Sequence, residues 1–210
     1  MMEKLVDIGF DTFALKLNGG TLHIKKPLSG ISGETSVGTV SIVDGTYLTG
    51  DTTHYLITDS TVYSWDGSTL DDTGFSSPPE KNGDFAAITD DGTDLYLVTT
   101  NGEVFSLTTG GVWTHITTVD GSVEAEYGSA SVVTISGTDY LMIGTYNGHY
   151  QMELTSYTFT ESPDDYAASY PELASALVYQ VYQAPSNDDI YLATQNGLWK
   201  RTGSGKFERQ

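Results

Sequence analysis

The sequence predicts an all-β fold, a five-bladed β-propeller of four-stranded antiparallel blades, on three observations. A short motif recurs along the chain: a run of apolar and β-branched residues, Thr two places before Asn, then Asn-Gly. It stands clearest at Leu95-Tyr96-Leu97-Val98-Thr99-Thr100-Asn101-Gly102, Tyr140-Leu141-Met142-Ile143-Gly144-Thr145-Tyr146-Asn147-Gly148 and Ile190-Tyr191-Leu192-Ala193-Thr194-Gln195-Asn196-Gly197. Two weaker copies precede these: His54-Tyr55-Leu56-Ile57-Thr58-Asp59-Ser60 lacks the Asn-Gly, and Phe13-Ala14-Leu15-Lys16-Leu17-Asn18-Gly19 has Lys in place of Thr. The copies follow one another at 41 to 49 residues. That period, filled by hairpins without intervening helices, is what a blade of four strands needs. Five units use up the 210 residues.

Each unit reads as β structure because strand-length runs of β-branched and aromatic residues flank a turn dipeptide. Asn-Gly is the pair best able to take the positive φ of a two-residue type I′ turn, so a hairpin with that turn is expected. The units fall at about 3–43, 44–83, 84–126, 127–172 and 173–210, within a single domain.

Unit one holds candidate strands at 4–8, 13–17, 21–25 and, after a Pro- and Gly-containing loop, 37–43. Unit two holds 46–49, 55–58 and 62–65, and its tail at 76–79, Ser-Ser-Pro-Pro, reads as a stiff connector. Unit three gives 85–89, 95–99, 104–107 and 113–117; unit four gives 130–135, 140–145, 150–154 and 158–160. Unit five gives 177–182, 190–194, 198–201 and 206–208. Small residues cluster at the innermost strands (Ala86, Ala87, Ser129, Ser131, Ala174, Ala176), as strands converging on a narrow axis require. One interruption, 161–173, lies between units four and five. Ser162-Pro163-Asp164-Asp165 is a helix-start signal, and Pro171 is expected to end the turn of helix it begins. The segment is either packing filler or a lid over a ligand.

Composition narrows function by exclusion. The chain has no cysteine and a net charge of −19, so neither disulfides nor thiolate metal sites are available, and nucleic acid and anionic membrane are poor partners. Eight of the nine basic residues (Lys4, Lys16, Lys25, Lys26, Lys200, Arg201, Lys206 and Arg209) lie in the first and last units. A closed ring would gather them into one sector, to seal the closure or to hold a partner. No apolar run has the length of a signal peptide or a membrane span. The expected compartment is the cytoplasm, or a bacterial periplasm or cell surface if a leader has been removed.

No nucleophile elbow, phosphate-cradling loop or EF-hand pattern appears, and His23, His54, His115 and His149 occupy unlike positions in four units. They read as surface or strand residues, and no enzyme, cofactor or metal is expected. One constellation suggests binding. Glu3, Asp44, Asp84, Glu126 and Glu172 each stand at or just before an innermost strand, once per unit. In a ring they would surround one mouth of the axial channel, where close carboxylates hold a cation or a cationic ligand group. Tyr166 and Tyr170, in the 161–173 segment, join them as ligand-binding candidates.

The stretch from Asp189 to Arg201, in which a strand ending in a small residue and Thr precedes Asn-Gly and an aromatic, resembles the repeat of two-component-regulator sensor propellers. The turns around Gly110-Gly111 and Gly203-Ser204-Gly205 are similar, more weakly, to Asp-box turns of sialidase-like propellers, without the defining Asp. The resemblance implies a non-catalytic module binding a small ligand or a protein segment on the face of the Asn-Gly turns or on that of the 161–173 segment. The alternative is a glycan-binding or glycoside-processing propeller, for which Asp44 and Glu126 are the candidate carboxyl pair. Trp65, Trp113 and Trp199 occupy unlike positions, which argues against five equivalent sugar sites.

Overall fold

The structure is a computed structural model that describes residues 42–65, 70–75, 78, 80–123, 129–184, 189–202 and 205–210, together with the backbone of three earlier strands. Those three, β1 (Lys4–Val6), β2 (Ala14–Asn18) and β3 (Thr21–Lys25), form one antiparallel sheet in the order β1-β2-β3. Four sheets of four strands follow. The first contains β4 (Asp44–Leu48), β5 (Thr53–Ile57), β6 (Val62–Trp65) and β7 (Leu70–Asp72). The next contains β8 (Phe85–Asp90), β9 (Leu95–Thr99), β10 (Glu103–Leu107) and β11 (Trp113–Thr118). It is succeeded by β12 (Ala130–Ile135), β13 (Thr138–Gly144), β14 (His149–Glu153) and β15 (Thr158–Glu161). After helices α1 (Pro163–Tyr166) and α2 (Pro171–Ala174) come β16 (Val178–Gln183), β17 (Ile190–Thr194), β18 (Gly197–Arg201) and β19 (Phe207–Arg209).

Every sheet is an up-and-down antiparallel meander, and the first strands lie side by side in the order β4, β8, β12, β16. The chain folds as a β-propeller. Four blades are complete among the described residues, where the repeat predicts five; the expected strand 37–43 falls mostly outside them. Val43 is described, and its N–H bonds Ile57 O of β5 at 2.8 Å, so it continues the β4–β5 pairing. The sequence reading of unit two stopped at three strands and missed β7, a short acidic strand with little apolar signal; the connector expected at 76–79 falls mostly outside the described residues.

The apolar core is divided among the seams between blades. Leu48, Ile57 and Val62 meet Phe85, Leu95, Leu97 and Leu107 at the first seam. Val98 and Val104 meet Leu141, Ile143 and Met152 at the second. Val133 and Met142 meet Val178, Leu192 and Trp199 at the third. A blade covered on both sides has no solvent face, so β9, Leu-Tyr-Leu-Val-Thr, is buried throughout rather than at alternate positions.

Backbone bonds repeat across the same seams. The N–H of Phe85, at the start of β8, bonds Asp59 O in the turn of the preceding blade at 2.9 Å. Val123 N–H bonds Thr100 O at 3.0 Å, and Val178 N–H bonds Thr145 O at 2.9 Å. Each turn between a blade's second and third strands therefore receives the next blade's incoming chain.

Those turns are not of type I′. Among the described residues no asparagine of the motif has positive φ; Gly102, Gly148 and Gly197 do, at 81°, 77° and 117°. The threonine organises the turn instead. Thr145 Oγ1 donates to Gly148 O (3.1 Å) and accepts the Asn147 N–H (3.2 Å); Thr194 Oγ1 does the same with Gly197 O (2.8 Å) and the Asn196 N–H (3.1 Å). Thr58 forms the equivalent bonds with Thr61 O (3.4 Å) and the Ser60 N–H (3.3 Å), so the turn survives where Asn-Gly is missing.

Gly148 is needed twice over, for its φ of 77° and because a Cβ there would stand 2.5 Å from the Tyr166 hydroxyl and 3.3 Å from Ala174 Cα. Gly137, at φ 83°, faces open space. Gly137→Ala should cost about 1 kcal/mol, the penalty of the left-handed backbone alone. Gly148→Ala adds overpacking and should cost about 2–4 kcal/mol. Urea unfolding of the two variants measures the difference, and equal costs would contradict the contact.

Candidate functional site

The innermost strand starts, the turns between second and third strands and the connections between blades share one face. Asp44 opens β4 and pairs with Ile57, beside the turn at 58–61. Asp84 precedes β8, with its N–H bonded to Thr100 Oγ1 (3.1 Å) and its carbonyl to the Thr100 N–H (2.8 Å). Asn196 Nδ2 donates to Glu172 O at 3.1 Å. The Asn-Gly turns and the 161–173 segment, considered above as alternative binding faces, are therefore one face.

Of the predicted acidic ring, Asp44, Asp84 and Glu172 are placed on this face, while Glu3 and Glu126 lie outside the residues whose side chains are described. The three play different parts. Asp44 Oδ2 accepts the Ile88 N–H at 3.0 Å, reaching across the seam to the next innermost strand. Burial pushes its carboxyl up to about 6, against the lowering effect of the bonds from the Ile88 and Gly45 backbone. Asp84 is exposed. Glu172 is 64% exposed and meets Arg209 Nη1 at 3.1 Å.

Asp44 belongs to a recurrent device. An innermost strand has one edge without a partner strand, so its N–H groups need other acceptors. Thr89 Oγ1 accepts the Val132 N–H at 3.1 Å, and Gln183 uses both ends of its amide on Thr134, accepting the N–H at 2.8 Å and donating to the carbonyl at 2.7 Å. Polar side chains thus clasp consecutive innermost strands.

The 161–173 segment is packing. Ser162 and Asp165 form a capping box at the start of α1, with the Ser162 N–H bonded to Asp165 Oδ2 at 2.7 Å. Pro171 does not end a helix, as expected, but begins α2 at its first turn, where its missing N–H is harmless. Tyr166 and Leu173 are buried at the seam between the last two blades, and Tyr170 packs on Trp199 and Phe207. The Tyr166 hydroxyl accepts the His149 N–H at 2.8 Å and lies 3.0 Å from His149 Nδ1. His149 Nε2 meets Glu161 Oε1 at 2.9 Å, and Arg201 Nε and Nη2 each meet the Glu161 carboxylate at 3.4 Å.

His149, read from sequence as an ordinary strand or surface residue, has no exposed surface. Its role had no signal along the chain, because Glu161, Tyr166 and Arg201 come from β15, α1 and β18. A residue so enclosed positions its neighbours and does not meet a substrate. Arg201 and Arg209 pair with acids of the 161–173 segment, and Lys200 Nζ pairs with Asp189 at 2.6 Å. Lys200 therefore pairs within its own blade, while Arg201 and Arg209 tie that blade to β15 and α2. Among the described residues no group of three His, Asp or Glu side chains is placed to hold a metal ion, and no helix is long and apolar enough to cross a membrane.

No protein-family model and no curated protein sequence matches the chain. Solved structures do. The extracellular domain of BT4673 from B. thetaiotaomicron, assigned to a one component system, is similar over 98% of the chain with a TM-score of 0.68 and 15% identity. The extracellular domain of the hybrid two component system protein BT3049 from the same organism is similar over 94%, with a TM-score of 0.60 and 14% identity. Both are extracellular domains of one or two component systems. A nidogen/laminin complex also matches, over 93% of this chain and 76% of that one, with a TM-score of 0.62 and 8% identity. The chain spans 27% of the length of the BT4673 domain and 28% of the BT3049 domain. At these identities the likeness is one of fold.

Two carboxyls make opposite contributions to stability with pH. Asp44 binds its proton more tightly folded than unfolded, so its cost is absent below the ordinary aspartate range and grows as pH rises toward and past about 6. Glu161 is held below the usual carboxylate range: the His149 and Arg201 bonds and charges outweigh its burial. Its contribution is present above that range and is lost on acidification. Asp44→Asn, which keeps an acceptor for the Ile88 N–H, should stabilise the protein at pH 8 by up to about 3 kcal/mol and change little at pH 3. Thermal unfolding across that range checks the sign. Tyr166→Phe, which strands the buried His149 N–H, should cost about 1–3 kcal/mol at neutral pH in the same measurement.

Proposed function

We propose that the chain is a non-catalytic binding module, a sensor-type propeller of five blades, that takes up a small ligand or a protein segment on the face carrying the Asn-Gly turns. The observation behind this reading is the likeness, over nearly the whole chain, to extracellular domains of one and two component systems. Fold alone does not carry function; the chemistry of the face must. Five sheets at the period of the repeat support the blade count.

On that face Asp84 and Glu172 present carboxylates to solvent, and Asp44 stands at the start of the neighbouring innermost strand. Glu3 and Glu126, the other two members of the set expected from sequence, lie outside the described residues. Such a rim favours a ligand with a cationic or hydroxyl-rich group. Tyr166 acts through packing, and Tyr170, half-buried beside Trp199, is the aromatic candidate at the edge. The neighbours' extracellular placement supports a periplasmic or surface location. The alternative, a glycan-binding or glycoside-processing propeller, would use the same rim.

Calorimetric titration of the protein against cationic peptides and a glycan array tests both readings. An Asp84→Asn/Glu172→Gln double variant should bind the ligand so found at least about tenfold more weakly while unfolding at the parent temperature. Unchanged affinity would remove the acidic rim from the site, and turnover of aryl glycosides would replace the binding module with an enzyme.

A further inference from the structure

Asparagine followed by glycine is chemically labile. The backbone nitrogen of the glycine attacks the asparagine side-chain carbonyl carbon, ammonia leaves, and water opens the resulting succinimide to aspartate or isoaspartate. The attacking nitrogen must be free to move onto that carbon. Four Asn-Gly pairs are described, at 82–83, 101–102, 147–148 and 196–197, and sequence alone makes them equivalent.

The fold makes them different. Gly102 N–H is bonded to Thr99 O at 2.9 Å and Gly148 N–H to Ala176 O at 2.7 Å. Both glycines are buried, and releasing either nitrogen opens a turn that receives the next blade. Gly197 is paired with Thr194 in the hairpin ladder, and the Asn196 amide is anchored on Glu172 O while its carbonyl accepts from Arg209. Asn82-Gly83 is held at the Asn82 N–H and the Gly83 carbonyl but not at the reacting atoms. Asn82 is exposed, it lies in the irregular connection between β7 and β8, and neither its side chain nor the Gly83 N–H bonds any described residue. Glu80, at φ 65°, takes a left-handed backbone that side-chain-bearing residues rarely adopt, while Gly83, at 91°, takes it without cost.

We infer that Asn82 is the site at which this protein is modified by succinimide formation and hydrolysis, the three motif asparagines being protected by the turns they build. The product matters locally. The Asn82 N–H donates to Glu103 Oε2 at 2.6 Å, and Lys81 Nζ beside it bonds Gly83 O within the connection (2.9 Å) and Asp59 O across the first seam (3.1 Å). Aspartate adds a carboxylate next to Glu103, and isoaspartate lengthens the backbone between two of these anchors.

The test is incubation of the folded protein at mildly alkaline pH, with site-resolved peptide mass spectrometry following loss of ammonia and gain of the acid at each pair. Asn82 should convert at least about tenfold faster than Asn101, Asn147 or Asn196, the factor expected when the others must first open a hydrogen-bonded turn. In denaturant the four should react at similar rates, which separates the fold's effect from that of sequence. Conversion of Asn101, Asn147 or Asn196 as fast as Asn82 in the folded protein, or a rate at Asn82 that does not exceed theirs, would overturn the assignment.

Discussion

The bond from each incoming chain to the preceding blade's turn is the constraint on which the rest depends. Phe85, Val123 and Val178 donate across successive seams to Asp59, Thr100 and Thr145. A blade of four strands has two faces and no room for a solvent side, so neighbours must meet at a set distance for the seams to fill. The turn sets where the next blade begins. Its threonine hydroxyl holds the loop closed, and its glycine lets the following connection come close, as Tyr166 does over Gly148.

Polar groups in this core follow from the same geometry. Innermost strands cannot pair with one another edge to edge, so side chains of Asp44, Thr89 and Gln183 take over the bonding. At the last seam the longer connection brings a histidine, a glutamate, an arginine and a tyrosine into one enclosed network. Glu161 faces both His149 and Arg201, and replacing any partner leaves a polar group buried without its complement. The network couples β14, β15, α1 and β18, so the segment that looks insertable in sequence is among the parts most tied to the fold.

Much of the fold was legible along the chain. The recurrence of Thr-x-Asn-Gly after an apolar run placed the second and third strands of three blades to within a residue or two, and the start of α1 was announced by Ser162-Pro163. The turn type was misjudged because Asn-Gly can supply positive φ at either position, and the threonine hydroxyl decided that only glycine does. β7 was missed because three residues, Leu-Asp-Asp, carry no pattern. The site was less legible. Asp44, Asp84 and Glu172 read as equivalents, yet one clasps a seam, one faces solvent and one meets an arginine.

The sequence by itself determined the period, the hairpins and hence a ring-like stack of antiparallel blades, since these rest on interactions between residues a few places apart. Only the tertiary structure decided which side chains leave the surface to join blades, that two supposed faces are one, and that His149 is enclosed. Those outcomes depend on groups more than ten and up to 49 positions apart along the chain, and no local pattern records which of them will meet.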